Sequence, residues 1–198
     1  MDPKALTKLL EQVKAGDVAV DDAMDVLRDL PFADLGYATI DHHRALRNGY
    51  PEVVFGIGKT VAQIVGIVGE IAKRDQTVLV TRIEPDVGER LSEEVPGLRY
   101  DALSRTGLLA KKTPTKNSTL PICIVTAGTS ALPIAAEAAV TAEALGNDVT
   151  RLTDVGVAGI HRLFEHQHRL RKARVLIVVA GMEGALPSIV GGYVACPV

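Results

Sequence analysis

The chain has few cysteines, no excess of basic residues and no long apolar run, and each shortage excludes a class of protein. Its two cysteines, Cys123 and Cys196, have neither the number nor the spacing of a disulfide framework or a zinc site. Lys and Arg total 22 against 24 Asp and Glu, a formal net charge of −2, so nucleic acid is not an expected partner. The apolar runs have strand length, and residues 1–30 are too charged for a signal peptide. We therefore expect a cytoplasmic protein without a membrane segment.

Periodicity divides the chain into three predicted regions. Apolar positions recur at helical spacing in residues 3–14 and 21–30, and a strand–helix–strand pattern follows. The polar segment 111–119 has no periodicity and predicts a domain boundary. The regions are a helical hairpin at 1–32, a small α/β region at 33–118 and an α/β domain at 119–198. In the second region we predict strands at 53–56, 77–81, 98–100 and 108–110, and a helix at 60–73.

The third region alternates strands with helices, which is typical of a doubly wound parallel sheet. Ligands bind beyond the carboxyl ends of the strands in such sheets, so the loops that follow these strands are candidate binding loops. The predicted strands are 122–126, 148–152 and 175–180, and the predicted helices are 131–145, 157–172 and one after the third strand.

The loop after the first of these strands consists of small residues, Gly128, Thr129 and Ser130. Small side chains let a ligand approach the backbone, and the helix that follows presents unpaired N–H groups beside two hydroxyls. This pattern suits an anionic ligand, most simply a phosphate. A tight turn that only caps the helix, with Pro133 in its first turn, explains the same residues, and both interpretations stay open.

The loops after the other two strands carry ionisable groups. Glu183 is the only ionisable residue in Gly181–Ser188. It could accept a proton, orient a hydroxyl or bind Mg²⁺, or only be a solvated glutamate at a helix start. In Asp154–Arg162, the side chains of His161 and Arg162 could face an anionic ligand or only water.

Two clusters in the middle region are weaker candidates. Asp41–Arg44 packs four polar or ionisable residues together, and Phe55–Thr60 ends a strand with glycines and Lys59. The second cluster superficially resembles a phosphate loop, but it lacks the spacing of a Walker motif.

Four segments, taken in order, resemble the LarB family of nickel-pincer cofactor biosynthesis proteins, and the similarity covers nearly the whole chain. The carboxy-terminal domain of that family is similar to the PurE family of aminoimidazole ribonucleotide carboxylases, which are doubly wound and form octamers. The segments are DLGYATIDHHRALRNGYPEVVFGIGKT, TAGTSALPIAAEAAVTAEALG, DVGVAGIHRL and VVAGMEGALPSIVGGYVACPV.

The resemblance implies a reaction that supports lactate racemase maturation. Nicotinic acid adenine dinucleotide (NaAD) is carboxylated with CO2 or bicarbonate and its phosphoanhydride is hydrolysed, which gives pyridinium-3,5-biscarboxylic acid mononucleotide and AMP. A cysteine thiolate adds to the pyridinium ring to make its C5 nucleophilic. Mg²⁺ is an expected cofactor, without a tightly bound organic cofactor, and a homo-octamer is the expected assembly.

The resemblance also implies roles for individual residues. Glu183 is the expected acid–base residue, and the phosphate or ribose would lie on Gly128–Ser130. Carboxylate or adenylate groups would contact residues of the middle region. The expected substrate-binding residues are Gly128, Thr129, Ser130, Gly181, Met182, Gly184, Ala185, Leu186, Asp41, Arg44, Lys59, Asp154 and His161.

The chain departs from the family pattern at three points. Ala131 and Ile57 stand where relatives often have an acidic residue, and the sequence stops at Val198, before the segment that carries the family's nucleophilic cysteine. We therefore expect an incomplete PurE-like domain that is inactive in carboxylation by itself. The alternatives are a purine-pathway carboxylase, disfavoured because its catalytic histidine would fall near Ala185, and a non-catalytic nucleotide-binding module.

Overall fold

A computed structural model describes residues 3–28, 32–74, 76–111, 113–114 and 116–198. The chain is a mixed α/β protein that separates into two compact units. The first unit contains residues 1–100 and 107–112, and the second contains residues 101–106 and 113–198. Leu30, at the end of the predicted second helix, lies outside the described residues, as do Lys112 and Thr115 of the predicted boundary segment.

The first unit begins with a helical hairpin and continues with small sheets. A two-stranded antiparallel sheet pairs β1 with β2, and a mixed sheet has the order β3-β4-β6-β5, with β3 parallel and β6 antiparallel to β4. The elements are α1 Pro3–Ala15, α2 Val20–Arg28, β1 Phe32–Asp34, β2 Thr39–Asp41, α3 Arg44–Asn48, β3 Val53–Phe55, α4 Val61–Ala72, β4 Val78–Thr81, α5 Pro85–Glu94, β5 Arg99–Asp101 and β6 Thr106–Leu109.

Helix α4 organises the core of this unit. Thr60 and Gln63 form a capping box at its start, which satisfies two backbone donors that a helix otherwise leaves unpaired. Ile64, Val68 and Ile71, spaced three or four residues apart, are almost completely buried against strand β4 and helix α5. The helical spacing of these apolar residues thus determines which face of α4 is buried in the core.

The second unit is a three-stranded parallel sheet with helices on both faces. The strand order is β8-β7-β9, so the first strand along the chain is central and the chain crosses over it. The elements are β7 Ile122–Thr126, α6 Leu132–Ala144, β8 Val149–Leu152, α7 Ile160–Glu165, α8 Gln167–Lys172, β9 Val175–Val179 and α9 Ala185–Tyr193.

Alternation along the strands separates the two faces of this sheet. Cys123 and Val125 of β7 pack with side chains of α7, α8 and α9, whereas Ile124 packs with α6. Successive strand residues point to opposite faces. Both faces are therefore apolar, as a doubly wound parallel sheet requires.

The structure corrects one helix and adds elements that the sequence pattern missed. The predicted helix 157–172 is interrupted: a 3₁₀ turn at Val157–Gly159 precedes α7, and α8 is a separate helix after His166. The N–H of His166 bonds to the carbonyl of Leu163, a 3₁₀-type contact that ends α7. The hairpin β1–β2 and helices α3 and α5 had no sequence prediction.

Candidate functional site

Three loops meet at one edge of the second unit because the strands that precede them are parallel neighbours. They are the β7 loop (Ala127–Ala131), the β8 loop (Thr153–Gly159) and the β9 loop (Ala180–Gly184). With the order β8-β7-β9, the chain reverses direction across the sheet between β7 and β9. Such a topological switch point is where doubly wound sheets bind ligands.

Short backbone contacts hold the β7 loop between its neighbours. The N–H of Ala127 donates to the carbonyl of Val179 at 3.0 Å, and the N–H of Val155 donates to the carbonyl of Thr126 at 3.0 Å. A Cβ at Gly156 would lie 2.7 Å from the carbonyl oxygen of Ala127. Glycine at 156 therefore permits the close approach of the β8 loop to the β7 loop.

The β7 loop presents open backbone and exposed hydroxyls. Gly128 is extended (φ −150°), and a Cβ there would have no protein atom within 4 Å. Thr129 and Ser130 are exposed at the start of a 3₁₀ turn. The N-cap of α6 is Ala131, without a side-chain hydrogen bond. The two hydroxyl residues thus lie beside the helix start without occupying its capping position.

The β9 loop is a tight turn with strained backbone. The N–H of Gly184 donates to the carbonyl of Gly181 at 3.0 Å, and Met182 has φ +52° with a fully exposed side chain. Left-handed backbone at a residue other than glycine is costly, and it concentrates at functional sites. Glu183 is exposed in the same turn, and Gly184 (φ +66°) is the N-cap of α9.

The structure separates the residues predicted along Ala185–Ser188. Ala185 is partly buried at the first position of α9. The side chain of Leu186 is 1% exposed and belongs to the core between α9 and the sheet. Leu186 is therefore a core residue beneath the β9 loop, and its side chain is not exposed to a ligand.

An ion pair joins the β8 loop to helix α7. Asp154 is left-handed (φ +59°), and its Oδ2 accepts a 2.6 Å hydrogen bond from the Arg162 guanidinium on α7. The backbone N–H of Asp154 donates to the buried Thr126 Oγ1 at 3.3 Å. His161 is exposed on the first turn of α7.

The remaining predicted contacts, Asp41, Arg44 and Lys59, belong to the first unit. Asp41 accepts hydrogen bonds from Arg47 at 2.6 Å and from the N–H of His43 at 3.0 Å. Burial raises the pKa of Asp41, but the hydrogen bond and charge of Arg47, with smaller contributions from His43 and Arg44, hold it below its usual value. Asp41 is therefore ionised at neutral pH.

Lys59 follows β3 in a turn that includes Gly58 at φ +77°. Its Nζ donates to the carbonyl of Phe55 at 2.8 Å. A Cβ at Gly56 would lie 2.8 Å from the carbonyl oxygen of Thr81, so this loop packs closely against the end of β4. Lys59 is thus at the carboxyl edge of the first unit's own parallel pair, β3 and β4.

The cysteines differ in their surroundings. Cys123 is fully buried in β7, and this burial raises the pKa of its thiol, opposed in part by a hydrogen bond with Thr150. Such a thiol is poorly suited to nucleophilic chemistry, because the thiolate is the reactive form. Cys196 is partly exposed, next to Pro197, whose carbonyl accepts the N–H of Leu176 at 2.9 Å beside β9.

Within the described ranges, no three His, Cys, Asp or Glu side chains are grouped to hold a metal ion. No helix in the same part of the chain is long and apolar enough to cross a membrane.

A parallel sheet with its loops gathered at a switch point defines a doubly wound α/β protein. Residues 32–112 match the LarB/PurE-like N-terminal domain. An uncharacterized protein of Methanocaldococcus jannaschii, MJ0165, is 35% identical over 205 residues, which cover 98% of this chain and 79% of that protein. The chain belongs to the LarB/PurE family. This membership indicates a carboxylase-type function connected with nucleotides.

Sequence reasoning missed the glycines of the β8 loop. A Cβ at Gly159 would lie 2.7 Å from Nε and 3.0 Å from an Nη of Arg162, so the guanidinium lies directly over this residue. Two glycines three residues apart between an aspartate and an arginine are the available signal. Their spacing alone does not predict that Gly156 approaches Ala127 and that Gly159 approaches Arg162.

Proposed function

We propose that this protein acts on NaAD, carboxylating its pyridinium ring and hydrolysing its phosphoanhydride to yield pyridinium-3,5-biscarboxylic acid mononucleotide and AMP for nickel-pincer cofactor synthesis. The observation that carries the proposal is the gathering of the β7, β8 and β9 loops at one switch point. Membership of the LarB/PurE family supports it.

In this proposal the mononucleotide phosphate lies on the β7 loop. Gly128 leaves room for it, and the exposed hydroxyls of Thr129 and Ser130 supply donors. The guanidinium of Arg162, on helix α7, supplies a positive charge, and a guanidinium matches the geometry of phosphate. His161 lies on the same turn.

The pyridinium ring then lies beside the β9 loop. The exposed thioether of Met182 would offer an apolar contact. The exposed Glu183 carboxylate would take the C5 proton after the new carbon–carbon bond forms. A thiolate must first add to the ring and later leave, so that aromaticity is restored. We assign this role to neither Cys123 nor Cys196.

Mg²⁺ would be held by the diphosphate oxygens of the substrate, and we assign it no protein ligand. When bound, the cation neutralises charge that develops on the diphosphate as the phosphoanhydride breaks. Asp41, Arg44 and Lys59 are proposed to contact carboxylate or adenylate groups of the substrate. A homo-octamer and a cytoplasmic location belong to the same proposal.

The test incubates the 198-residue chain with NaAD, Mg²⁺ and labelled bicarbonate, and follows products by mass spectrometry after calorimetry has measured binding. Because neither cysteine is assigned as the nucleophile, bound NaAD and AMP without labelled mononucleotide would support the substrate and the hydrolysis and would contradict carboxylation by this chain. Labelled mononucleotide would support the carboxylation and overturn the exclusion of both cysteines. Absence of NaAD binding would overturn the proposed substrate, whereas binding without AMP would favour a non-catalytic nucleotide-binding module.

A further inference from the structure

We propose that Asp154 is a positioning residue that holds the guanidinium of Arg162 for the ligand phosphate, with Gly159 leaving the space in which that guanidinium lies. The inference rests on the proposed function, because it needs a phosphate at the switch-point edge. It changes the expected role of Asp154 from a substrate contact to a residue that acts through Arg162.

The first observation is the geometry of the ion pair. Arg162 donates from one Nη to Asp154 Oδ2 at 2.6 Å and, more weakly, from Nε to the carbonyl of Gly159 at 3.4 Å. The two contacts use different edges of one planar group, so together they fix its orientation as well as its position. The Arg162 side chain is 39% exposed, which leaves part of the guanidinium accessible to a ligand.

The second observation is the backbone of Asp154. Its φ of +59° is a conformation that costs free energy for any residue with a Cβ, although Asp and Asn tolerate it better than most. Glycine would adopt it without strain. Aspartate at this position is therefore less stable than glycine would be, and its carboxylate accepts the hydrogen bond from Arg162.

The third observation is the surface beneath the guanidinium. A Cβ at Gly159 would meet Nε at 2.7 Å and Cζ at 3.2 Å, and all close neighbours belong to the end of the Arg162 side chain. The φ of Gly159 is −137°, outside the left-handed region, so backbone conformation does not require glycine there. The glycine is instead explained by the position of the guanidinium.

The fourth observation connects this pair to the β7 loop. Asp154 is anchored to Thr126 through its N–H, and Gly156 lies against the carbonyl of Ala127. Ala127 immediately precedes Gly128, where the phosphate is proposed. The backbone that carries Asp154 is thus tied to the loop that the guanidinium would serve.

The experiment compares dissociation constants for nicotinic acid mononucleotide and nicotinic acid riboside, which differ by the phosphate, at low salt. The ratio of the riboside constant to the mononucleotide constant measures how much the phosphate strengthens binding, apart from ring and ribose contacts. The variants are Asp154→Gly, Asp154→Asn, Gly159→Ala and Arg162→Gln. Gly191→Ala in α9, where a Cβ has open space, serves as the control, and thermal midpoints are recorded for every variant.

Asp154→Gly is the decisive variant because it keeps the left-handed backbone and removes the carboxylate. We expect the phosphate-dependent ratio to fall about tenfold, the size of one charge-assisted hydrogen bond, without a lower thermal midpoint. Gly159→Ala, which displaces the guanidinium and keeps its charge, is expected to lower the ratio similarly. Asp154→Asn retains an acceptor oxygen and tolerates positive φ, so it is expected to keep more of the ratio than Asp154→Gly.

The outcomes separate this inference from the proposed function. An unchanged or higher ratio in Asp154→Gly would overturn the positioning role, since a carboxylate that only repels phosphate predicts tighter binding when removed. A wild-type protein that binds the mononucleotide no better than the riboside would overturn the proposed phosphate site as well. Phosphate-dependent binding that Arg162→Gln lowers and Asp154→Gly does not would leave the function intact and refute only the positioning.

Discussion

Two glycines of the second unit differ in what surrounds the position of a Cβ atom. A Cβ at Gly156 would collide with the backbone of Ala127, whereas one at Gly128 would meet no protein atom within 4 Å. Both glycines lack a positive φ, so neither is required by backbone conformation. The two substitutions therefore have different expected consequences.

Gly128→Ala is expected to leave the free energy of unfolding nearly unchanged and to weaken nicotinic acid mononucleotide binding about tenfold or more. The reason is that the new methyl group would occupy space that the phosphate needs. Urea unfolding and calorimetry of the same preparation measure the two quantities. Unchanged affinity would place the phosphate away from Gly128.

Gly156→Ala is expected to lower the free energy of unfolding by roughly 1–3 kcal/mol, because the β7 and β8 loops must separate to relieve the contact. Urea unfolding monitored by circular dichroism measures this loss. Ala158→Gly, at an exposed neighbouring position, is a comparison for general effects on the loop. Full stability in Gly156→Ala would contradict the close approach of the two loops.

His42 in the first unit is expected to make stability depend on pH. Its ring is buried and its Nε2 lies 3.3 Å from Glu70 Oε1. Burial and the charge of Arg74 hold the pKa of His42 below its ordinary value of 6.5, against the opposing effect of Glu70. The unfolded state therefore binds more protons near and below that pH, so stability falls as the pH falls through this window.

The measurement is the free energy of unfolding of the wild type and His42→Gln between pH 7 and pH 5. The wild type is expected to lose stability on acidification, and the variant is expected to show a flatter profile, since its amide does not titrate. Parallel profiles for the two proteins would show that His42 is not the titrating group.

At the scale of elements, the sequence predicted most clearly those segments whose pattern of apolar residues matches the side chains they bury. Strand β7 was predicted with its observed bounds because it is a continuous run of five apolar or small residues. Helix α4, predicted at 60–73 and observed at Val61–Ala72, was found because its apolar face repeats at helical spacing. Helix α5 was missed because Pro85–Glu94 is mostly polar and only Gly88 and Leu91 are buried. Its position is determined by tertiary contacts, among them Tyr100 packed onto Gly88.

Two glycines of α4 offer a test at this scale. Gly69 is exposed with open space for a Cβ, whereas a Cβ at Gly66 would collide with the hydroxyl of Tyr37. Gly69→Ala is expected to stabilise the protein by about 0.5–1 kcal/mol through helix propensity, and Gly66→Ala is expected to fall short of that gain.

Chemical denaturation measures both variants of α4. Combining Gly66→Ala with Tyr37→Phe removes the colliding hydroxyl and is expected to restore most of the missing stabilisation, which a double-mutant cycle detects. Additive effects of the two substitutions would contradict the contact between Tyr37 and Gly66.

At the scale of the whole molecule, the chain contains two units with separate hydrophobic cores, one around α4 and one around the parallel sheet. The family resemblance predicts that eight copies assemble. Light scattering after size-exclusion chromatography is expected to give a molar mass eight times that of the chain. The mass of a monomer or dimer would contradict this prediction.

The sequence by itself determined the alternation of strands and helices in the second unit and the composition of its loops. Local period and small-residue content are properties of neighbouring residues, so they can be read along the chain. Only the tertiary structure decided that β7 is central, that Leu186 is core and that Asp154 and Gly159 meet Arg162. Those arrangements depend on strand order and on backbone conformation at single residues, and neither leaves a periodic trace in the sequence.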